Sequence, residues 1–201
     1  MRVIAGTAKG RSLKAVPGMG TRPTTDKVKE AIFSMIGPYF DGGEALDLFA
    51  GTGGLGIEAL SRGMDQAVFI DQDRTSLDVV RHNLETVRFL EQAEVYRNDA
   101  ERALKVLAKR DRRFRLVFLD PPYRMKVVGE LMLAMHELNL LEDGATIVAE
   151  YESGHHYDEA YGPFYEFRKA IYGETAVSLY RYEQPGEPAA RDGVEESHET
   201  N

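Results

Sequence analysis

The stretch LDLFAGTGGLG at residues 46–56 is the part of the sequence that decides the fold. Gly51, Gly53 and Gly56 fit the G-x-G-x-x-G pattern of a turn that opens a helix and lets the backbone come close to a ligand. Asp71 follows Gly51 by 20 residues, a separation at which an acid can bind both hydroxyls of a ribose. The stretch therefore predicts a site for an adenosine-containing cofactor, but it does not separate a dinucleotide from S-adenosylmethionine.

Strand-like and helix-like segments alternate on both sides of this turn. Strands are predicted at 45–49, 67–70, 93–97, 116–119 and 146–149, and helices at 57–60, 75–89, 100–107 and 127–138. About five such β-α repeats predict an α/β fold with a Rossmann-like, mostly parallel sheet and helices on both faces. Residues 164–172 and 175–182 predict a closing hairpin that brings one antiparallel strand to or near an edge.

The two ends of the chain differ in character from this middle. Short β-prone runs at 2–5 and 11–16 surround a glycine-bounded turn and predict an N-terminal β-hairpin. The sequence Thr24-Thr25-Asp26 predicts a helix start. We therefore divide the chain into a basic hairpin extension (1–22), an α/β domain (23–182) and an acidic tail (183–201) that we expect to be disordered.

Composition limits the function classes. The chain has 201 residues, of which 43% are apolar and 29% charged, so one domain with a real core is expected. It has no Cys, which excludes thiolate metal sites, Cys nucleophiles and redox pairs, and we expect no metal. No apolar run approaches the length of a membrane helix and the N-terminus has no apolar signal region, so we expect a cytoplasmic protein without a membrane contact.

Charge is distributed unevenly along the chain. The net charge is −8, yet residues 1–30 contain seven Lys and Arg against two acids. The tail from 183 contains six acids against one Arg. A basic N-terminal arm on an acidic body is typical either of contact with an anionic partner or of a solvated surface segment.

Four successive predicted strands end in an acid, and the fourth is followed by an unusual loop. The acids are Asp47, Asp71, Asp99 and Asp120, and the loop is Asp120-Pro121-Pro122-Tyr123. Two prolines remove two N–H donors, so the loop offers carbonyl and carboxylate acceptors beside an aromatic ring. This combination fits a conjugated exocyclic amine that must be oriented toward an electrophilic methyl group, and a dehydrogenase would have no use for it.

Several longer segments carry a resemblance to a known family. They are LDLFAGTGGLG (46–56), NDA (98–100), DPPY (120–123), MRVIAGTAKGRSLKAVP (1–17), RPTTDKVKEAIFSMI (22–36), GIEALSRG (56–63) and YGETAVSLY (172–180). Together they resemble bacterial 16S rRNA (guanine-N2)-methyltransferases of the RsmD type, which are class I S-adenosylmethionine-dependent enzymes. The resemblance covers residues 1 to about 182. It implies methylation of a guanine N2 amine in small-subunit rRNA, with S-adenosyl-L-homocysteine as the product and no covalent enzyme intermediate.

The resemblance also implies roles for particular residues. The cofactor-binding set would be Asp47, Ala50, Gly51, Gly53, Asp71, Gln72, Asp99 and Ala100, with Thr24 and Thr25 closing the site from the N-terminal side. The catalytic set that orients and stacks the guanine would be Asp120, Pro121, Pro122 and Tyr123. The residues that meet rRNA would be Arg2, Lys9, Arg11, Lys14 and Arg22.

Some alternatives remain open at this point. A nicotinamide-dependent dehydrogenase fits the glycine-rich turn, and a non-catalytic rRNA-binding assembly protein fits the basic arm. DNA adenine-N6 and protein glutamine-N5 methyltransferases share the Pro-Pro-aromatic loop. The rRNA partner is expected as an assembling or complete ribonucleoprotein and the protein as a monomer. The Arg-rich segment 110–115 fits an rRNA contact and a solvated turn equally well.

Overall fold

The computed structural model describes residues 1–18 and 24–186. Its strands are β1 (Glu44–Asp47), β2 (Gln66–Asp71), β3 (Ala93–Arg97), β4 (Phe114–Leu119), β5 (Leu141–Glu152), β6 (Ala160–Tyr161), β7 (Phe164–Tyr172) and β8 (Thr175–Tyr182). Its α-helices are α1 (Asp26–Ile36), α2 (Gly54–Ser61), α3 (Arg74–Val87), α4 (Ala100–Lys109) and α5 (Val128–Glu137), and Leu90–Gln92 form a 3-10 turn. None of the helices in these ranges is long and apolar enough to cross a membrane.

The strands form one sheet in the order β3-β2-β1-β4-β5-β8-β7-β6. The first five strands in this order are parallel, whereas β8 is antiparallel to both β5 and β7. This confirms the predicted Rossmann-like sheet with a closing hairpin. The sequence did not reveal β6, because a two-residue strand is too short for a periodic pattern.

Two apolar clusters hold the helices on the two faces of the sheet. The strands alternate, so Leu116 and Phe118 of β4 face α1–α3, while Val117 and Leu119 face α4 and α5. All four side chains are buried. The sheet is therefore covered on both faces, which explains why the central strands read as continuous apolar runs.

The N-terminal segment forms a short antiparallel hairpin whose paired residues are fewer than the predicted strands at 2–5 and 11–16. Arg2 and Ser12 form an antiparallel bridge, the Val3 N–H donates to the Arg11 carbonyl, and the Gly10 N–H donates to the Val3 carbonyl. The N–H groups of Ile4 and Ala5 donate to the Glu58 carboxylate on α2 instead of to a partner strand. A left-handed turn at Gly6 (φ +85°) then brings the backbone against Ser61 so closely that a Cβ would lie 1.8 Å from its carbonyl oxygen. The hairpin is thus held against α2, and the backbone pairing of its two arms is limited to residues 1–3 and 10–13.

Element boundaries differ most at β5. The sequence predicts a strand at 146–149, but β5 runs from Leu141 to Glu152 because it pairs with β8 along Thr146–Glu152. The predicted tail begins at Glu183, directly after β8. The N–H of Glu183 donates to the carbonyl of Pro163 and that of Gln184 to the Asp143 carboxylate. The rest of the acidic tail, from residue 187, lies outside the described residues.

Candidate active site

The carboxyl ends of the central parallel strands bring the predicted site residues to one edge of the sheet. Register pairs Asp47 of β1 with Phe118 of β4, and Phe118 with Val148 of β5. Because side chains alternate along a strand, Asp120 and Glu150 lie on the same face as these three residues. This face is the one covered by α1 and α2, so the edge holds a row of carboxylates beneath the start of both helices.

The glycine-rich turn between β1 and α2 needs its glycines for two different reasons. Gly51 (φ +55°) and Gly53 (φ +78°) are in the left-handed region, and a Cβ on Gly51 would meet nothing within 4 Å. Gly56 is required by packing, since a Cβ there would lie 2.4 Å from the Phe69 ring. The turn is therefore open toward the strand edge and closed toward the core, as a ligand-binding turn at a helix N-terminus requires.

Asp47 is buried next to this turn, with 3% of its surface exposed. Its carboxylate accepts one hydrogen bond, from the Gly56 N–H at 3.2 Å. Burial raises the pKa of Asp47 to about 7, and the charges of Asp71 and Glu150 act in the same direction. Among the described residues no Lys or Arg forms an ion pair with it. A buried carboxyl without a cation is suited to bind a positively charged group from outside the protein.

Asp71 at the end of β2 connects the turn to the next strand. One carboxylate oxygen accepts from the Gly51 N–H and the other from the Asp73 N–H, both at 2.9 Å. Gln72, which the sequence also predicts to bind the cofactor, is exposed, and its backbone carbonyl accepts from Nε of Arg97 at 3.0 Å. Each oxygen of Asp71 therefore uses one lone pair to hold the turn, and its second lone pair can accept a hydrogen bond from a ligand.

Asp99, one of the predicted cofactor-binding residues, has a structural role. It is the N-cap of α4, where its carboxylate accepts from the Arg102 N–H at 2.9 Å and pairs with Nε of Arg102 at 3.2 Å. Ala100 is the first, buried residue of the same helix. Both residues lie at the end of β3, which β2 and β1 separate from β4, and binding of a ligand by Asp99 stays a prediction.

The Asp120–Tyr123 loop leaves the end of β4 with a tight turn. The Pro122 carbonyl accepts from the Met125 N–H at 2.7 Å, whereas Pro121 is buried. Tyr123 is 52% exposed, and its hydroxyl lies close to Thr175 at the start of β8. Burial raises the pKa of Asp120 well above its ordinary value, and the carboxylates of Glu150 and Asp47 add to this effect.

Glu150 is a site residue that the sequence prediction did not include. It is buried on β5, beside Asp120, and its Oε2 accepts from the Thr24 hydroxyl at 2.6 Å. Burial raises its pKa, while the Thr24 hydrogen bond opposes that rise. The available signal was that the fifth predicted strand also ends in an acid. Thr25, the other predicted closing residue, is the N-cap of α1 and accepts from the Val28 N–H at 3.3 Å.

The predicted rRNA contacts Arg2, Lys9, Arg11 and Lys14 are all exposed. The segment that carries them is held beside the glycine-rich turn by Asn83 of α3, which bonds both backbone groups of Lys14 and the Thr52 carbonyl. Only Arg2 forms a salt bridge among these four within the described ranges, to Asp26 at 3.5 Å. Arg22 lies outside the described residues.

The Arg-rich segment 110–115 lies at the opposite end of the sheet. Arg112 pairs with Glu44 at 2.8 Å and with Glu94 at 2.6 Å, and Arg115 pairs with Asp41 at 2.8 Å. These cations are engaged by acids near the amino ends of β1 and β3, which favours the structural interpretation of this segment. Across residues 1–18 and 24–186, no group of three or more His, Asp or Glu could hold a metal ion.

Several proteins similar to this chain are named as methyltransferases. The chain is 54% identical over 181 residues to the Bacillus subtilis protein named "Putative rRNA methyltransferase YlbH", covering 90% of this chain and 98% of that one. It is 33% identical to "Ribosomal RNA small subunit methyltransferase D" of Escherichia coli K12, covering 94% of each. The solved structure described as "Putative methyltransferase yhhF from Escherichia coli" superposes with a TM-score of 0.77 at 33% identity, covering 92% of this chain and 99% of that one.

These similarities span the α/β domain and the N-terminal segment alike. The family model described as "Conserved hypothetical protein 95" matches residues 1–181, so it contains every described site residue. The family resemblance predicted from the sequence motifs is thereby confirmed, and this chain belongs to the conserved hypothetical protein 95 family.

Proposed function

We propose that this protein is an S-adenosylmethionine-dependent methyltransferase that methylates the exocyclic N2 amine of a guanine in small-subunit rRNA. The observation that carries the proposal is the meeting of two features at one sheet edge. One is the glycine-rich turn with its buried, cation-free Asp47, and the other is the acceptor loop from Asp120 to Tyr123. The names of the curated relatives support rRNA as the substrate.

The residues at the glycine-rich turn fit the proposed cofactor. The cation-free Asp47 suits the ammonium group of a methionine moiety, which would favour the ionised form of a carboxyl whose pKa is about 7. Gly51 leaves open space where a Cβ would project, and Asp71 keeps free lone pairs for ribose hydroxyls. When bound, S-adenosylmethionine supplies an electrophilic methyl group on a sulfonium sulfur.

The chain's own contribution to catalysis is orientation and exclusion of water. Asp120 and the Pro121 carbonyl would accept the hydrogens of the N2 amine, and the exposed ring of Tyr123 would stack on the base. With its hydrogens held, N2 directs its lone pair at the methyl carbon. S-adenosylmethionine held by Asp47 and the glycine-rich turn would give up its methyl group to N2 and leave as S-adenosyl-L-homocysteine, and the surplus proton on N2 would then pass to solvent. The chain has no Cys, so transfer through a Cys adduct is excluded.

We infer that the exposed basic residues of the N-terminal segment hold rRNA phosphates. Arg2, Lys9, Arg11 and Lys14 lie on a segment that Asn83 fixes to the glycine-rich turn, so an RNA bound there would lie next to the cofactor site. The acidic body of the protein favours a ribonucleoprotein over naked rRNA as the substrate. The target guanine must be unstacked to reach the loop, and we propose a cytoplasmic monomer.

The experiment that tests this function uses S-adenosylmethionine labelled in its methyl group. The purified protein is given small ribosomal subunits or assembly intermediates from cells that lack it, with total tRNA and duplex DNA in parallel. We expect label in rRNA as N2-methylguanosine and none in the other two. Stabilisation against heat by S-adenosyl-L-homocysteine but not by NAD is the matched binding control. Label in no nucleic acid, or protection by NAD alone, would overturn the proposal.

A further inference from the structure

Asp120 and Glu150 form a pair of neighbouring carboxylates. Leu119 of β4 is in register with Ala149 of parallel β5, so the next residue of each strand lies beside the other. Neighbouring strands are about 4.8 Å apart, and both side chains project from the face that α1 covers. The Glu150 charge raises the pKa of Asp120, as expected for carboxylates this close. Nothing in the proposed methyl transfer itself requires a second acid.

The pair has unused capacity to accept hydrogen bonds. Within the described part of the chain, the Asp120 carboxylate accepts no hydrogen bond and forms no ion pair. Glu150 accepts one, at Oε2 from the Thr24 hydroxyl, and this bond leaves Oε1 without a partner among the described residues. Every fully buried side-chain oxygen of the described residues has a hydrogen-bond partner, so the unpaired oxygens of Asp120 and Glu150 are accessible from the site. Two adjacent acceptors that are open to the site fit a ligand that carries two adjacent donors.

Guanine has this pattern on its Watson–Crick edge. Its N1–H and its N2 amine are neighbouring donors, whereas adenine has a lone pair at N1 next to its N6 amine. A flipped base is recognised mainly along this edge. One carboxylate can hold the amine of either base, so Asp120 alone does not distinguish them. A second acceptor opposite N1 attracts guanine and repels the N1 lone pair of adenine.

We infer that Glu150 determines the specificity of the site for guanine by accepting the N1–H of the target base through Oε1, while Asp120 accepts from N2. This inference rests on the proposed function and names how the same site selects its base. Thr24 is a positioning residue, because its hydrogen bond to Oε2 fixes the direction of Oε1. The same hydrogen bond joins the residues just before α1 to β5, the strand that carries Glu150.

The test compares guanine with 2-aminopurine, which keeps the N2 amine but has a lone pair at N1. Once the methylated position is located, small subunits are reconstituted from 16S rRNA that carries either base at that position. Single-turnover rates are measured for the wild type, for Glu150→Gln and for Glu152→Gln. Glu152 is an exposed acid on the same strand, so its variant has the same change in charge at a similar place.

We expect the wild type to prefer guanine over 2-aminopurine by about a hundredfold or more, as for sites built around a substrate hydrogen bond. Glu150→Gln should reduce this preference at least tenfold, because the Gln amide can turn its NH2 toward N1 and donate to 2-aminopurine. Glu152→Gln should keep the wild-type preference. Binding of S-adenosyl-L-homocysteine should be unchanged in both variants, which shows that they are folded.

Each other outcome has a distinct meaning. If Glu150→Gln loses activity equally on both bases while it still binds S-adenosyl-L-homocysteine, Glu150 is only structural and the inference is wrong. If the variant keeps the wild-type preference, the inference is wrong as well. If the wild type methylates no guanine in rRNA, the proposed function fails and this inference fails with it. Should Glu150→Gln not fold, Thr24→Val provides the same test by releasing Oε2, with a smaller loss of preference expected.

Discussion

Glu58 on α2 and the cluster of carboxylates at the strand ends have opposite surroundings. Glu58 on α2 is fully buried and accepts from the N–H groups of Ile4 and Ala5. It also pairs with Nε of Arg62 at 2.9 Å and with Nζ of Lys29 at 3.6 Å. The strand-end cluster consists of Asp47, Asp120 and Glu150. Its three carboxylates accept two hydrogen bonds in total, from the Gly56 N–H and the Thr24 hydroxyl, and form no ion pair within the described residues.

This difference separates a structural role from a binding role. Glu58 has donors for its lone pairs and holds the N-terminal segment, α1 and α2 together. The strand-end cluster is left short of donors, and burial raises the pKa of each of its members. A protein keeps such an unfavourable arrangement where a ligand will supply the missing partners. Removing a carboxylate should therefore have opposite effects on stability in the two groups.

The largest expected effect on stability is that of Glu58→Gln. The substitution leaves the buried cations Lys29 and Arg62 without their carboxylate, and breaking a buried ion pair from one side typically costs about 3–5 kcal/mol. Urea denaturation should show this loss in the free energy of unfolding. Glu85→Gln, at an exposed position of α3, is the control and should change it by less than about 0.5 kcal/mol. A loss below about 1 kcal/mol for Glu58→Gln would contradict the structural role.

The opposite sign is expected for Asp47→Asn. The pKa of Asp47 is raised from 3.8 to about 7 in the folded protein, so the folded state binds more protons than the unfolded state between these values. Wild-type stability therefore falls as pH rises from about 4 to 7, and Asn does not titrate. The variant should be more stable than the wild type by about 2–4 kcal/mol at pH 8, with the gain disappearing near pH 4.

Thermal denaturation of Asp47→Asn from pH 4 to pH 8 measures this gain. The same substitution should weaken the binding of S-adenosylmethionine, because it removes the carboxylate that is proposed to bind the ammonium group. Calorimetric titration at pH 8 should show an affinity at least tenfold lower than that of the wild type. If the variant is destabilised at pH 8, or binds the cofactor as tightly as the wild type, Asp47 is not a ligand-binding carboxylate.

A smaller effect is expected for Thr24→Val, which removes the hydroxyl that donates to Glu150. The stability change should be within about 1 kcal/mol, since one hydrogen bond is lost but an unfavourable buried carboxyl is also freed to move. Methyl transfer should fall about tenfold, as expected when a positioning contact is lost. Ser34→Ala on α1, the helix that follows Thr24, removes a hydroxyl that donates to the Glu30 carbonyl and should leave the rate unchanged. An unchanged rate for Thr24→Val would show that the contact does not position Glu150.

The smallest effect on stability is expected for Arg2→Gln. Its salt bridge to Asp26 spans 3.5 Å between exposed side chains, and such pairs contribute about 0–1 kcal/mol. If Arg2 holds an rRNA phosphate, the slope of log affinity against log salt should decrease by about 0.7–0.9. Binding titrations at several salt concentrations measure this slope. A slope equal to that of the wild type would remove Arg2 from the proposed RNA surface.

The sequence predicts local features well and contacts between distant segments less well. The turn at Gly51–Gly53 and the helix start at Thr25 follow from neighbouring residues, and both are observed. Glu58 has the sequence features of an ordinary helical acid, so its hydrogen bonds from the Ile4 and Ala5 N–H groups could not be predicted, and the strands of the N-terminal hairpin are shorter than expected. Glu150 becomes a site residue only through its register beside β4, which depends on how β5 pairs.

Asp120 is proposed to bind the substrate amine, and neither the stability of the fold nor the binding of the cofactor should depend on it. The most direct test is the single-turnover rate of N2-methylguanosine formation by Asp120→Ala on small subunits at saturating S-adenosylmethionine, with the dissociation constant for S-adenosyl-L-homocysteine measured alongside. We predict that the rate falls more than a hundredfold while this constant changes by less than about threefold. A parallel loss of rate and cofactor affinity, or an unchanged rate, would contradict the account.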